Sequence, residues 1–99
     1  MTKIKKYVER IEEELHDAKN YAEKYVEYKA AGNTQNQNRY KDMANDELKH
    51  AMYLHDIATA EIAELNKVFQ PTQEMLDKWD RSHREYVEKT AWIKQMLTM

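Results

Sequence analysis

Glu47 and His50, three residues apart in the stretch Asp46-Glu47-Leu48-Lys49-His50, carry the most legible chemistry of this 99-residue chain. On a helix, a carboxylate and an imidazole one turn apart project from the same face and can share one small target. The surrounding seam reads Tyr40, Ala44, Glu47, Ala51, Leu54, Ala58, Glu61, Leu65 and Val68. Its steps alternate four and three, so Glu47 falls where a bundle helix places Leu. Removing an ionised carboxylate from water costs several kcal/mol unless a cation, a metal or a hydrogen-bonding partner compensates it. Glu47 therefore predicts a partner, and His50 is placed to share it.

A second carboxylate stands on the element that must face this one. Ile4, Val8, Ile11, Leu15, Ala18, Ala22, Tyr25 and Lys29 form a four-three seam, and beside it Tyr7, Glu14, Tyr21 and Tyr28 repeat every seventh residue. Glu14 thus lies among tyrosines at the edge of a core, where phenolic hydroxyls can orient a carboxylate. Gly32, the one glycine, is placed to end the first helix, and Thr34 with Gln37 matches a capping box for the second. So short a connection makes the two helices antiparallel neighbours. Glu14 precedes Gly32 by about eighteen residues and Glu47 follows it by about fifteen, a mismatch in height of only a few Å at 1.5 Å per residue.

The elements follow from the same patterns. Helices are expected over about 3–31, 35–69 and 71–97, in one domain covering 1–99. The fold class is all-α, an antiparallel helical hairpin plus a third helix. One Gly and one Pro in the chain leave almost nothing to break helices. Pro71 suits the first turn of the third helix. The seam of that helix, Leu76, Trp79, His83, Tyr86, Thr90, Ile93 and Leu97, includes a histidine. At about 50 Å the second helix exceeds its neighbours and cannot bury its whole seam within one chain. Met43, Met52, Met75 and Met96 are expected to fill gaps in the core.

Composition removes several function classes. Sixteen basic and eighteen acidic side chains are interspersed to a net charge of −2, which offers no stripe for a nucleic-acid backbone. No apolar run approaches a spanning helix, so no membrane partner is expected. The absence of cysteine excludes disulfides and thiolate sites and fits the expected cytoplasmic location.

A carboxylate on one helix opposite a Glu-x-x-His on its antiparallel neighbour is half of a four-helix di-iron carboxylate site. One suitable Glu-x-x-His per chain means that two chains must combine, so a homodimer or higher homo-oligomer is expected. Glu13-Glu14-Leu15 with Tyr21, and Asn45-Asp46-Glu47-Leu48-Lys49-His50-Ala51-Met52, resemble segments of the ferritin-like superfamily, and most of all the encapsulated ferritins. The resemblance spans roughly 10–60, and the chain also resembles short uncharacterised bacterial and phage-encoded proteins. It implies a half-length member that completes a ferritin-like four-helix bundle by dimerisation. Glu14, Glu47 and His50 would be metal ligands and Tyr21 a neighbour of the site. The cofactor it implies is a di-iron centre, with Mn or Zn as other candidate metals, and the activity it implies is ferroxidase-like oxidation of Fe(II). Two other readings stay open: a metal-free helical oligomer whose polar seam residues set register, and a mononuclear site of Glu14, Glu47, His50 and His83 within one chain.

Overall fold

The computed structural model describes residues 2–99. Three helices, α1 (Thr2–Ala30), α2 (Thr34–Leu65) and α3 (Gln73–Met96), make an elongated body of 55 × 17 × 17 Å, with no strand among the described residues. On α1 the seam is buried from Ile4 through Val8, Ile11, Leu15, Ala18 and Ala22 to Tyr25. Lys29 departs from it. Its side chain lies outside, with Nζ 5.8 Å from the Tyr25 ring centre and hydrogen-bonded to the Met99 carbonyl.

Gly32 stops α1 because it alone can take the required φ of +74° without strain. Its N–H donates to the Lys29 carbonyl at 3.1 Å and that of Asn33 to Tyr28 at 2.9 Å, the paired bonds of a Schellman end. Asn33 at once caps α2, its side chain accepting from Asn36 N at 3.1 Å. The expected Thr34–Gln37 box is therefore not the cap, since the chain turns one residue earlier.

α1 and α2 pack through small residues. Ala18 and Ala22 on one helix and Ala44, Ala51 and Ala58 on the other have no exposed surface. Short side chains at the contact let the two axes approach closely. This approach allows groups on the rims of the two helices to meet.

α3 returns parallel to α1 and packs chiefly on it. Ile93, Met96 and Leu97 enter the common core, and Tyr25 Oη reaches the Met99 carbonyl at 3.3 Å. Pro71 is not in the first turn of α3 as expected: the helix starts at Gln73, and Thr72 caps it by accepting from Met75 N at 3.2 Å. Proline stands just ahead of the cap, where its missing N–H also leaves nothing unpaired.

Three seam assignments change. Leu48 is buried on α2 while Glu47 is half-buried, and Leu48 shares its buried cluster with Ile93 and Met96 of α3. Ser82 takes the buried place on α3, leaving His83 outside. α2 ends at Leu65, short of the expected Phe69, and Val68 is exposed. Lys3 meets Glu61 at 3.2 Å, so α1 has almost run out at that level and has nothing to place against Val68. Of the four methionines expected inside, Met96 is buried and Met43 and Met52 are exposed.

Candidate metal centre

Glu14 comes from the middle of α1, and Glu47 and His50 come from successive turns of α2. One donor atom from each lies within 4.8 Å of the others. His50 Nδ1 is 3.7 Å from Glu14 Oε2 and 3.8 Å from Glu47 Oε2. These separations exceed a hydrogen bond, so the imidazole faces both carboxylates without being bonded to either. Donors around a common ion at about 2.0–2.2 Å stand roughly 3–4 Å apart, so the set is spaced to take one.

The two glutamate side chains are only 21% and 20% exposed, whereas His50 is 55% exposed. The carboxylates therefore meet at the floor of the site and the imidazole forms its outer edge. A hydrogen bond with Glu14, burial, and the Glu14 charge push Glu47 up to about 7, with Asp17 adding to the effect and His50 opposing it. Around pH 7 Glu47 is thus about half protonated, and its proton relieves the repulsion between the two carboxylates. A cation would do the same work at the same place.

An open hollow of about 420 Å³ leads to the site, lined by Arg10, Glu14, His50, Tyr53 and Leu54. No α3 residue lines it. α3 instead shares a hollow with Glu12, Leu15, His16 and Lys19, on the other flank of α1. The three donors thus sit on the flank of the hairpin that α3 leaves bare.

Other residues singled out in the sequence go elsewhere. His83 joins His55 across α2 and α3, their ring nitrogens 2.8 Å apart, which removes it from any site with Glu14. Tyr21 and Tyr28 both pack on Tyr40, with ring centres 6.1 and 5.5 Å apart. Tyr21 therefore lies about 10 Å along α1 from Glu14. Arg10 and Tyr53 were not anticipated at the hollow. Their signal was available, since Arg10 precedes Glu14 by four residues and Tyr53 follows His50 by three. No helix among the described residues is long and apolar enough to cross a membrane. Comparison with models of known protein families, with curated proteins and with solved structures finds no match to this chain.

Proposed function

We propose that this chain is a ferritin-like metal-binding protein in which Glu14, Glu47 and His50 supply half of a dinuclear carboxylate centre. The observation that carries this reading is the convergence of the three donor atoms within 4.8 Å on the one flank that α3 does not cover. A second copy laid hairpin against hairpin on that flank makes four helices and doubles the donor set. Met43, His50 and Ile57 follow one another at seven-residue spacing along α2, and Tyr53 stands beside them. All four are exposed in the single chain, as an interface stripe around the site would be.

Oxygen-rich donors with one imidazole suit a hard divalent ion, and Fe(II) is the ion for which the set is best composed, with Mn(II) or Zn(II) as competitors. When bound, iron would supply one-electron chemistry with dioxygen. The chain's own part is to balance charge with Glu14 and Glu47 and to offer the Nδ1 of His50 as the nitrogen donor. Glu47 gives up its proton as the cation arrives, and Tyr53 and Leu54 narrow the approach of water.

One observation favours a second reading. With its carboxyl held up to about 7 beside Glu14, Glu47 can meet Glu14 as a neutral group without metal, so the pair could serve only to fix register in a helical oligomer. Metal content per chain and solution mass, measured on protein purified without chelators, separate the two. Close to one metal ion per chain in a dimer supports the di-metal centre. An oligomer that stays metal-free and unaltered by added Fe(II), Mn(II) or Zn(II) supports the structural reading.

A further inference from the structure

A second set of nitrogen donors meets away from the first centre, where α2 faces α3. α3 rests chiefly on α1, with Ser82 buried beside a hollow that Val8 and Glu12 also line. The next residue, His83, is carried round toward α2, where His55 meets it. His55 Nε2 and His83 Nδ1 are 2.8 Å apart. The ring centres are 4.9 Å apart, so nitrogen edges rather than ring faces are turned toward each other.

The two rings are held differently. The His55 side chain is only 15% exposed and lies on Tyr86, with ring centres 4.4 Å apart and planes 6° from parallel, while Trp79 packs at 5.6 Å. Its other nitrogen, Nδ1, stands 3.5 Å from Asp56 Oδ1. A carboxylate there favours the tautomer with the proton on Nδ1 and leaves the Nε2 lone pair turned to His83, the arrangement in which ligand histidines are commonly oriented. His83 is exposed, so its ring can turn and water reaches the pair. Among the described residues no further carboxylate or imidazole joins the two as a third donor.

The distance decides which ions fit. Two nitrogens on one ion at about 2.0 Å stand about 2.8 Å apart at a right angle and about 3.3 Å apart at the tetrahedral angle. The observed 2.8 Å matches the right-angled edge. Cu(II) and Ni(II) prefer that tetragonal spacing, Zn(II) the tetrahedral one, and nitrogen donors hold Cu(II) more tightly than Ni(II). The pair thus differs in kind from Glu14, Glu47 and His50, whose two carboxylates suit a harder ion.

We infer that His55 and His83 form a second metal site, a bis-imidazole chelate for Cu(II), with Ni(II) as a weaker competitor and water in the remaining equatorial positions. Without metal the two imidazoles share a hydrogen bond in which His83 Nδ1–H donates to His55 Nε2. The ion displaces that proton, which returns through solvent to the outer nitrogen of His83, and the exposed ring turns to aim its freed lone pair at the ion. The placement of α3 does not depend on the pair, because its contacts with α1 supply it. Nor does the site depend on how Glu14, Glu47 and His50 are read.

The test uses the full chain carrying His16→Gln and His50→Ala, which leaves His55 and His83 as its only imidazoles and removes the nitrogen donor of the first centre. Trp92→Phe makes Trp79 the one tryptophan. Cu(II) is titrated near neutral pH and followed by quenching of Trp79 emission and by electron paramagnetic resonance. Quenching should be complete at about one Cu(II) per chain, with the spectrum of a tetragonal ion bound by two imidazole nitrogens. His83→Gln in the same chain should weaken binding by about a hundredfold or more, beyond what loss of an orienting neighbour costs, and should leave at most one nitrogen in the spectrum. Equal affinity with and without His83, or fewer than two imidazole nitrogens while it is present, overturns the proposal. Should circular dichroism show that His83→Gln folds poorly, the nitrogen count in the chain that keeps both histidines decides alone.

Discussion

Glu14 and Glu47 face each other across the contact of α1 with α2, and the hydrogen bond between them raises Glu47 to about 7. Their meeting depends on the alanines behind them. With Ala18, Ala22, Ala44 and Ala51 fully buried, the helices come close enough for two rim carboxylates to meet.

The first prediction concerns pH and stability. A folded value of about 7 against 4.5 in the unfolded chain means that the folded state binds more protons between these limits. Stability is therefore greatest below about pH 4.5 as far as this group is concerned, falls as pH rises through the window, and is fully reduced above 7. Glu47→Gln removes the dependence, and at pH 8 the metal-free variant should exceed the parent by on the order of 1–2 kcal/mol after solvent screening. Thermal melts at several pH values check it; a variant less stable than the parent at pH 8 would show that Glu47 is instead compensated by a cation.

Metal binding should carry the proton with it. Below pH 7 an entering divalent ion displaces the Glu47 proton, so apparent affinity should fall by about tenfold per pH unit in that range, with about one proton released per ion. Calorimetric titration of Mn(II) in buffers of different ionisation heat measures the release. Affinity that does not change between pH 6 and 8 would remove Glu47 from the ligand set.

Two histidine variants should part company. His50→Ala deletes the nitrogen donor and should weaken Fe(II) or Mn(II) binding by about a hundredfold or more, beyond what loss of a merely orienting neighbour costs. His16→Ala should bind like the parent, because His16 lines the hollow on the α3 flank. Anaerobic titrations compare them, and equal affinities would exclude His50.

In the proposed dimer, Ile57→Glu should separate the two copies while leaving each chain helical. Ile57 is 48% exposed in the single chain, so the charge costs little there. Burying it in an interface would lose about 1.5–3 kcal/mol of apolar burial and add a desolvation cost, weakening the dimer by about a hundredfold or more. Sedimentation of parent and variant reads this directly, and identical masses would place the interface elsewhere.

Ala51→Leu tests the close approach itself. Added methylenes at a fully buried position should cost about 1–3 kcal/mol and push α2 away from α1. Metal affinity should fall together with the melting temperature. Unaltered metal binding in a destabilised variant would mean that the carboxylates do not depend on this spacing.

The buried face of α1 was legible residue by residue from Ile4 to Tyr25, because a single four-three seam there carries all of its buried apolar residues. α2 was less so. It is touched by α1 on one side and α3 on another, and no periodicity on α2 records where α3 will lie. Hence Leu48 went unnoticed as a core residue and Glu47 was placed at the centre of a face when it stands at the rim. The turn shows the same limit on a smaller scale: Gly32 announced the end of α1, but Asn33 and Thr34 are both competent caps, and local geometry chose Asn33.

By itself, the sequence determined three helices, the break at Gly32, the antiparallel hairpin and the matching heights of Glu14, Glu47 and His50. All of these follow from spacing, propensity and a fixed rise per residue. The tertiary structure alone decided which flank α3 would cover. That choice leaves the three donors open while bringing His55 and His83 together, because helix-to-helix placement is settled by side-chain volume at contacts far apart in the chain. The alanine contacts set how near α1 and α2 could come, and Ser82, Ile93 and Leu97 set the side on which α3 came to rest.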